Sequence, residues 1–398
     1  MTNKYAYRTN KYAYRSKTWL STAFCVGAAL SAVSSAVAMN GPSSIKFNGG
    51  PLGSLALSGG ATGYGYALSG TGNAASPGLL GTDKSTGAEF LNGLIQVQKP
   101  SGPLQFTIEV GSTTSMTLGV KPAPSSVQNF PTGPLFAGYI TLAPTSNFTI
   151  SAGQLPSLEG WESPIDWNNA NAMNTDIFYV ENSQSRGVSA TYSHGLLSAT
   201  LTFGDGFDTG VWNFLQGLVT YSPNSDNSVS LFAASNLGKT GLNAVTYGQT
   251  NVGTYGANYI NSTMIGGYYS FTEGNLNLVP EVQYVYAKPS TTLGLTKFSS
   301  NFGAALFADY SFGKTPYSLG AWVEYFNSNG PDLWFLNPGA KGIGLSVTPT
   351  WQENYLFVRG DIGLLHLTDL GVPGSVGYGA NGTSRNQATA LLEAGILF

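Results

Sequence analysis

The feature that most constrains this chain is an alternation of apolar and polar residues with a period of two, repeated along most of its length. In 104–110, Leu104, Phe106, Ile108 and Val110 alternate with Gln105, Thr107 and Glu109. In 196–203, Leu197, Ala199, Leu201 and Phe203 alternate with Ser198, Thr200 and Thr202. In 388–398, Ala388, Ala390, Leu392, Ala394, Ile396 and Phe398 oppose Thr389 and Glu393. Successive side chains on a strand point to opposite faces, so each segment has one oily and one wet face. Charge decides which face meets water. Only 9% of the 398 residues are charged, whereas a soluble domain carries about 25%. A soluble β-sandwich needs a charged exterior, and that charge is missing. Disorder is excluded by the 13% aromatic content and the low charge. A helical membrane protein needs apolar runs of about 20 residues, and only the extreme N-terminus comes near one. Segments of about ten alternating residues are the pattern of a transmembrane β-barrel, with the oily face turned to lipid.

The connections give a second signal. Strands are expected at 55–70, 88–98, 104–112, 135–143, 147–153, 185–193, 196–204, 213–222, 228–236, 257–271, 275–287, 300–312, 317–327, 341–351, 354–366 and 385–398. Short links such as Pro144–Ser146 and His194-Gly195 alternate with long ones such as 71–87, 154–184, 237–256 and 367–384. The short links hold the Pro, Gly, Asn or Asp that tight turns require. The expected fold is therefore all-β: a closed antiparallel transmembrane barrel of about 16 strands, with 14 to 18 open. Short turns belong on the periplasmic side and long loops on the extracellular side.

The N-terminus reads as an address. Residues 1–17 carry Lys4, Arg8, Lys11, Arg15 and Lys17 and no acid, and TNKYAYR occurs twice there. An apolar run from Trp19 to Val37 ends in Ala36-Val37-Ala38. This is the layout of a cleaved secretory signal peptide over 1–38. A single membrane-anchoring helix is the alternative. A periplasmic segment over 39–52 and a barrel over 53–398 complete the expected organisation. Cys25 lies in the leader and is the only cysteine, and Phe24 before it makes a poor lipoprotein site. Removing the leader leaves 12 basic against 20 acidic residues, a balance that disfavours a nucleic-acid partner.

Between residues 153 and 238 stand GQLPSLEGWES (153–163), WNNANAMN (167–174), SRGVSATYS (185–193), GLLSATLTFGDGFD (195–208) and LVTYSPNSDNSVSLFAASNLG (218–238). With the closing RNQATALLEAGILF (385–398), these resemble the OmpL-like β-barrel porins of Gram-negative outer membranes. Trp161 after Gly160 departs from that pattern, where a smaller residue is expected. The resemblance implies an outer-membrane porin that passes small hydrophilic solutes and ions by diffusion. Phe398 resembles the terminal aromatic signal read by the barrel assembly machinery. Outer-membrane lipid and lipopolysaccharide are the expected surroundings. A homotrimer is open, since general porins form trimers and nothing in the sequence marks an interface. A substrate-specific channel and a non-conducting surface barrel (adhesin or scaffold) are the rival functions.

A barrel of this size leaves an aqueous channel. With the apolar face outward, the inward charges are Glu109, Glu281, Asp309, Glu324, Arg359, Asp361 and Glu393. Six acids against one base favour a cation-preferring pore, with Arg359 and Asp361 spaced to pair. The 154–184 link carries Glu159, Glu162, Asp166, Asp176 and Glu181 and no base before Arg186. A link this long points to function. It is expected to fold into the barrel as a constriction, the alternative being an outward loop that meets only solvent. Tyr139, Tyr221, Tyr268, Tyr284, Tyr310, Trp322 and Trp351 are expected in the interfacial aromatic girdles, with a sugar-stacking track as the alternative. No catalytic site, cofactor or metal is expected. His194 and His366 are the only histidines, and a dyad of His366 with Asp361 or Asp369 is the sole arrangement with catalytic potential.

Overall fold

A computed structural model of the chain describes residues 39, 41–72, 80–126, 133–182, 184–241, 257–331 and 335–398. The expected leader, 1–38, lies outside the described residues.

The alternating segments form sixteen long antiparallel strands. The first eight are β1 (Ser54–Leu68), β2 (Thr86–Lys99), β3 (Leu104–Ser112), β4 (Leu135–Thr145), β5 (Phe148–Pro156), β6 (Gln184–His194), β7 (Leu197–Gly204) and β8 (Phe214–Asn224). The second eight are β9 (Asn227–Asn236), β10 (Thr263–Glu273), β11 (Leu276–Ala287), β12 (Ser299–Ser311), β13 (Tyr317–Asn329), β14 (Lys341–Glu353), β15 (Leu356–Asp369) and β16 (Asn386–Leu397). Each pairs with its sequence neighbours, and β16 returns to β1 from Thr389↔Leu68 to Leu397↔Gly60, so the sheet is a closed ring. Closure leaves no strand edge to solvate, which is what lets a sheet cross lipid. Tight turns join the strands at one end of the ring. Long loops, 157–183 among them, join them at the other.

Side-chain burial follows the alternation. Leu104, Ile108 and Val110 are exposed on the outside, while Gln105, Thr107 and Glu109 are buried inside. Leu197, Leu201 and Phe203 likewise face out while Thr200 and Thr202 face in. The barrel is thus apolar outside and polar along much of its inner wall, the reverse of a soluble protein.

Two features differ from the sequence expectation. Residues 257–260 form a short helix rather than the start of a strand, and β10 begins at Thr263. Within the segment before the barrel, Ile45–Asn48 is a short strand paired with Ser54–Leu57, on the same edge of β1 that β16 occupies further along. Phe398 closes the gap between them, exchanging backbone hydrogen bonds of 2.8 and 2.9 Å with Gly59. Ile45–Asn48 and the C-terminal strand therefore share one row of the ring.

Leu231 sits mid-strand on the outer face of β9 and is 62% exposed. Leu231→Arg is expected to destabilise the barrel in liposomes by about 2–4 kcal/mol in urea titration. A loss below about 0.5 kcal/mol would mean that this face does not meet the bilayer midplane.

The loop inside the barrel

The loop after β5 turns into the lumen and is hydrogen-bonded around the wall. Leu158 N–H donates to Gln216 Oε1 of β8 at 3.0 Å, and Asn92 Nδ2 of β2 donates to Asp166 Oδ1 at 2.6 Å. Asn171 Nδ2 donates to Ser346 Oγ and Thr348 Oγ1 of β14 at 3.0 and 2.9 Å. The amides of Ala172 and Met173 both donate to Asp361 Oδ2 of β15, at 3.0 and 2.9 Å. Trp322 Nε1 of β13 donates to Met173 O at 2.9 Å. Asp176 N–H donates to Glu324 Oε2 of β13 at 2.7 Å, and Gln283 Nε2 of β11 donates to Ile177 O at 2.6 Å. A loop buried in a barrel must satisfy its own backbone, and here the inward polar residues of the wall do so.

Two wall glycines set how closely the loop approaches. A Cβ on Gly320 would lie 2.4 Å from Ala170 O, and one on Gly363 would lie 2.6 Å from the Met173 methyl. Within the loop, Thr175 caps a four-residue helix, α1 (Asp176–Tyr179), by accepting from Phe178 N–H. Glu162 accepts from Asn174 Nδ2 and from the Thr175 amide and hydroxyl, tying the two limbs of the loop together. Met173–Asn174 pairs in parallel with Met116–Thr117 of the loop after β3, so two loops lock across the lumen.

The charged residues fall into two groups. The first surrounds Arg359, which is fully buried: its Nε donates to Glu393 Oε2 at 2.6 Å, Nη1 to Asn169 O at 3.0 Å, and Nη2 to Asp166 Oδ2 at 3.4 Å. Arg359 therefore pairs with Glu393 and loop Asp166. The expected Arg359–Asp361 pair does not form, because Asp361 is taken by the loop amides and by Ser346 Oγ at 2.5 Å. The second group holds Glu159, Glu162, Asp176 and Glu181 of the loop with Glu281 and Glu324 of the wall, and among the described residues no hydrogen bond or salt bridge joins any of these acids to a base. Oxygens of Glu159, Asp176, Glu181, Glu281 and Glu324 are buried without a hydrogen-bond partner among the described residues. Burial lifts the Glu159 carboxyl to about 8 and the Glu162 and Asp176 carboxyls to about 7. Glu181 is pushed well above the usual range by burial, then by the carboxylates of Glu281, Glu159 and Glu162. Glu109, near the β2–β3 hairpin, accepts from Gln96 Nε2 at 3.4 Å, and Asp309 is half-buried nearer the short turns.

Sequence reasoning missed part of the lumen. Tyr139, Tyr268 and Trp322 do not join the girdles but point inward, where Tyr268 stacks edge-on against Trp161 at 5.4 Å. Strand parity decides this: Trp322 and Glu324 share a face. Tyr221, Tyr310 and the half-buried Trp351 face outward. The inner wall also carries apolar residues, so Leu158, Trp161, Met173, Ile177 and Val180 of the loop pack with Phe232, Val285, Phe326 and Leu365. The lumen is thus narrowed by an apolar cluster as well as lined by polar groups. His366 Nδ1 lies 2.7 Å from Asn386 Oδ1, and His366 is exposed while Asp361 on the same strand is buried and held by the loop amides. Among the described residues no three His, Cys, Asp or Glu side chains are grouped to hold a metal.

A closed sixteen-strand barrel with an inward-folded loop defines the porin class of outer-membrane channels. A family profile described as "Putative beta-barrel porin-2, OmpL-like" matches residues 54–398, and the chain belongs to that family. Solved porins share the fold at low identity. An anion-selective porin from Comamonas acidovorans superposes with a TM-score of 0.59 at 13% identity, over 86% of this chain and 99% of that one. OmpT of Vibrio cholerae gives 0.56 at 10%, over 87% and 98%. OmpF of Salmonella typhi, solved with daunomycin, gives 0.53 at 13%, over 89% and 100%. No curated protein sequence matches the chain.

Arg359→Gln removes the only cation from a buried cluster and leaves Asp166 and Glu393 facing each other. It is expected to destabilise the folded barrel by about 3–5 kcal/mol and to expose the 157–183 loop to protease. A variant that keeps wild-type urea midpoint and protease resistance would show that Arg359 does not hold the loop.

Proposed function

We propose that the protein is a diffusion channel for small hydrophilic solutes and ions, narrowed by the 157–183 loop and preferring cations. The observation that carries this reading is the acid set on the loop and the facing wall, Glu159, Glu162, Asp176, Glu181, Glu281 and Glu324, left without a cationic partner beside the path. Carboxylates in a constriction of low dielectric lower the barrier to cations and raise it to anions. Arg359 does not offset them, since its charge is spent on Glu393 and Asp166. Diffusion needs no catalytic group, and none is proposed. Export through a leader cleaved after Ala38, recognition of Phe398 by the assembly machinery, contact with lipopolysaccharide and assembly as a homotrimer belong to the same reading. One observation favours the narrower alternative of a substrate-specific channel: the apolar cluster around Trp161 and Met173 fills lumen that a general pore leaves to water.

Reversal potentials in planar bilayers test the preference. At about pH 9, where the Glu159 and Glu162 carboxyls are ionised, the wild type is expected to favour K⁺ over Cl⁻, and Glu159→Gln with Glu162→Gln to lose most of that preference. Anion selectivity of the wild type overturns the reading. Liposome swelling separates the two pore types, since a general pore admits several unrelated sugars and a specific one admits few.

The preference is also expected to depend on pH. Carboxyls held at about 7 to 8 by burial are neutral below that range and ionised above it. Cation selectivity is therefore expected to rise between about pH 6 and 9. The same groups are less stable folded once ionised, so stability conferred by the neutral loop acids is present below their unfolded value and lost as pH rises through about 8. A selectivity flat over this range would show that the loop acids are not at the constriction.

A further inference from the structure

On the short-turn side of the loop, a small cavity lies between the loop and strands β11 to β13. Its lining residues include Trp161, Trp322, Phe307, Glu162, Asp309 and Asn171. No Lys, Arg or His lines it. The open core of the cavity is about 20 Å³, room for one water-sized group. The two acids differ. Glu162 is engaged by Asn174 and Thr175, whereas no described residue hydrogen-bonds or ion-pairs with the Asp309 side chain. Asp309 pairs across the sheet with Gly320 of β13 and with Asn277, three residues beyond the tight turn at Gly274, so it stands at the mouth facing the short-turn vestibule.

Three aromatic rings and two carboxylates without a base make an environment for a cation of a particular kind. Aromatic faces attract cations through the ring quadrupole, and they suit ammonium groups with attached carbon better than strongly hydrated metal ions. The acids are not grouped to chelate a metal. We propose that this cavity binds the head of a primary organic ammonium, with Asp309 as counter-ion, Trp161, Trp322 and Phe307 against its carbons, and the rest of the molecule trailing into the vestibule. This deepens the cation-preferring reading by naming a class of cargo, and it rests on that reading only where transport is concerned.

The site is tested on the full-length folded barrel in detergent, with n-butylammonium chloride as the probe and tryptophan fluorescence as the readout. A saturable change is expected with n-butylammonium and not with n-butanol or with KCl at equal ionic strength. Asp309→Asn is expected to weaken the half-saturation at least about tenfold. Asp309→Glu, which keeps the charge, is expected to restore most of it. No saturable change, an equal response to KCl, or unaltered affinity in Asp309→Asn overturns the proposal. In planar bilayers, n-butylammonium added on the short-turn side is expected to block the current at lower concentration than on the loop side. A conducting channel without that asymmetry overturns the site and leaves the porin reading standing. Saturable binding by a barrel that does not conduct leaves the site standing and overturns the porin reading.

Discussion

The pairing of β16 with β1 is the interaction on which everything else depends. In lipid, an unpaired backbone amide or carbonyl costs several kcal/mol. An open sheet with two long edges is therefore not a stable spanning structure, whereas the closed ring is. Closure reaches the residues that flank β1 and β16 as well. Phe398 bonds Gly59, and Ile45–Asn48 continues its row, so the seam is covered along the length of β1. Once the ring is closed, the strand period assigns every side chain to lipid or to lumen.

The same accounting explains the inner loop. A segment of more than twenty residues inside a barrel brings its own amides and carbonyls, and these need partners. The wall supplies them from positions that a water-filled pore leaves hydrated: Gln216, Gln283, Glu324, Ser346, Thr348 and Asp361. Wall polarity here is structural as much as conductive. Arg359 illustrates the distinction. A sequence reading counts it as the lone positive charge of the lumen, whereas its three donor nitrogens are consumed by Glu393, Asn169 and Asp166. The acids left over on the other side of the loop have no such partner among the described residues.

Strand positions were legible because alternation is a local property, carried within about ten residues of sequence. The error at 257–260 arose where a short helix carries apolar residues at the mouth of a strand, which a period of two does not separate from strand. The misplaced aromatics have a different cause. Residue type alone places Trp322 in the girdle, whereas its parity with Glu324 turns it inward. The loop contacts carried no such signal, because Asn171 and Thr348 are 177 positions apart.

From the sequence alone came the oily and wet faces, the number of crossings to within about two and the alternation of short turns with long loops, because each follows from periodicity and turn chemistry over short stretches. Only the tertiary structure decided that the loop lies against β11 to β15, that Arg359 is neutralised, and that a ring-lined acidic cavity opens toward the short turns. Those outcomes depend on which side chains meet across the lumen. Such meetings are set by ring closure and the register of all sixteen strands together, not by any single stretch of chain.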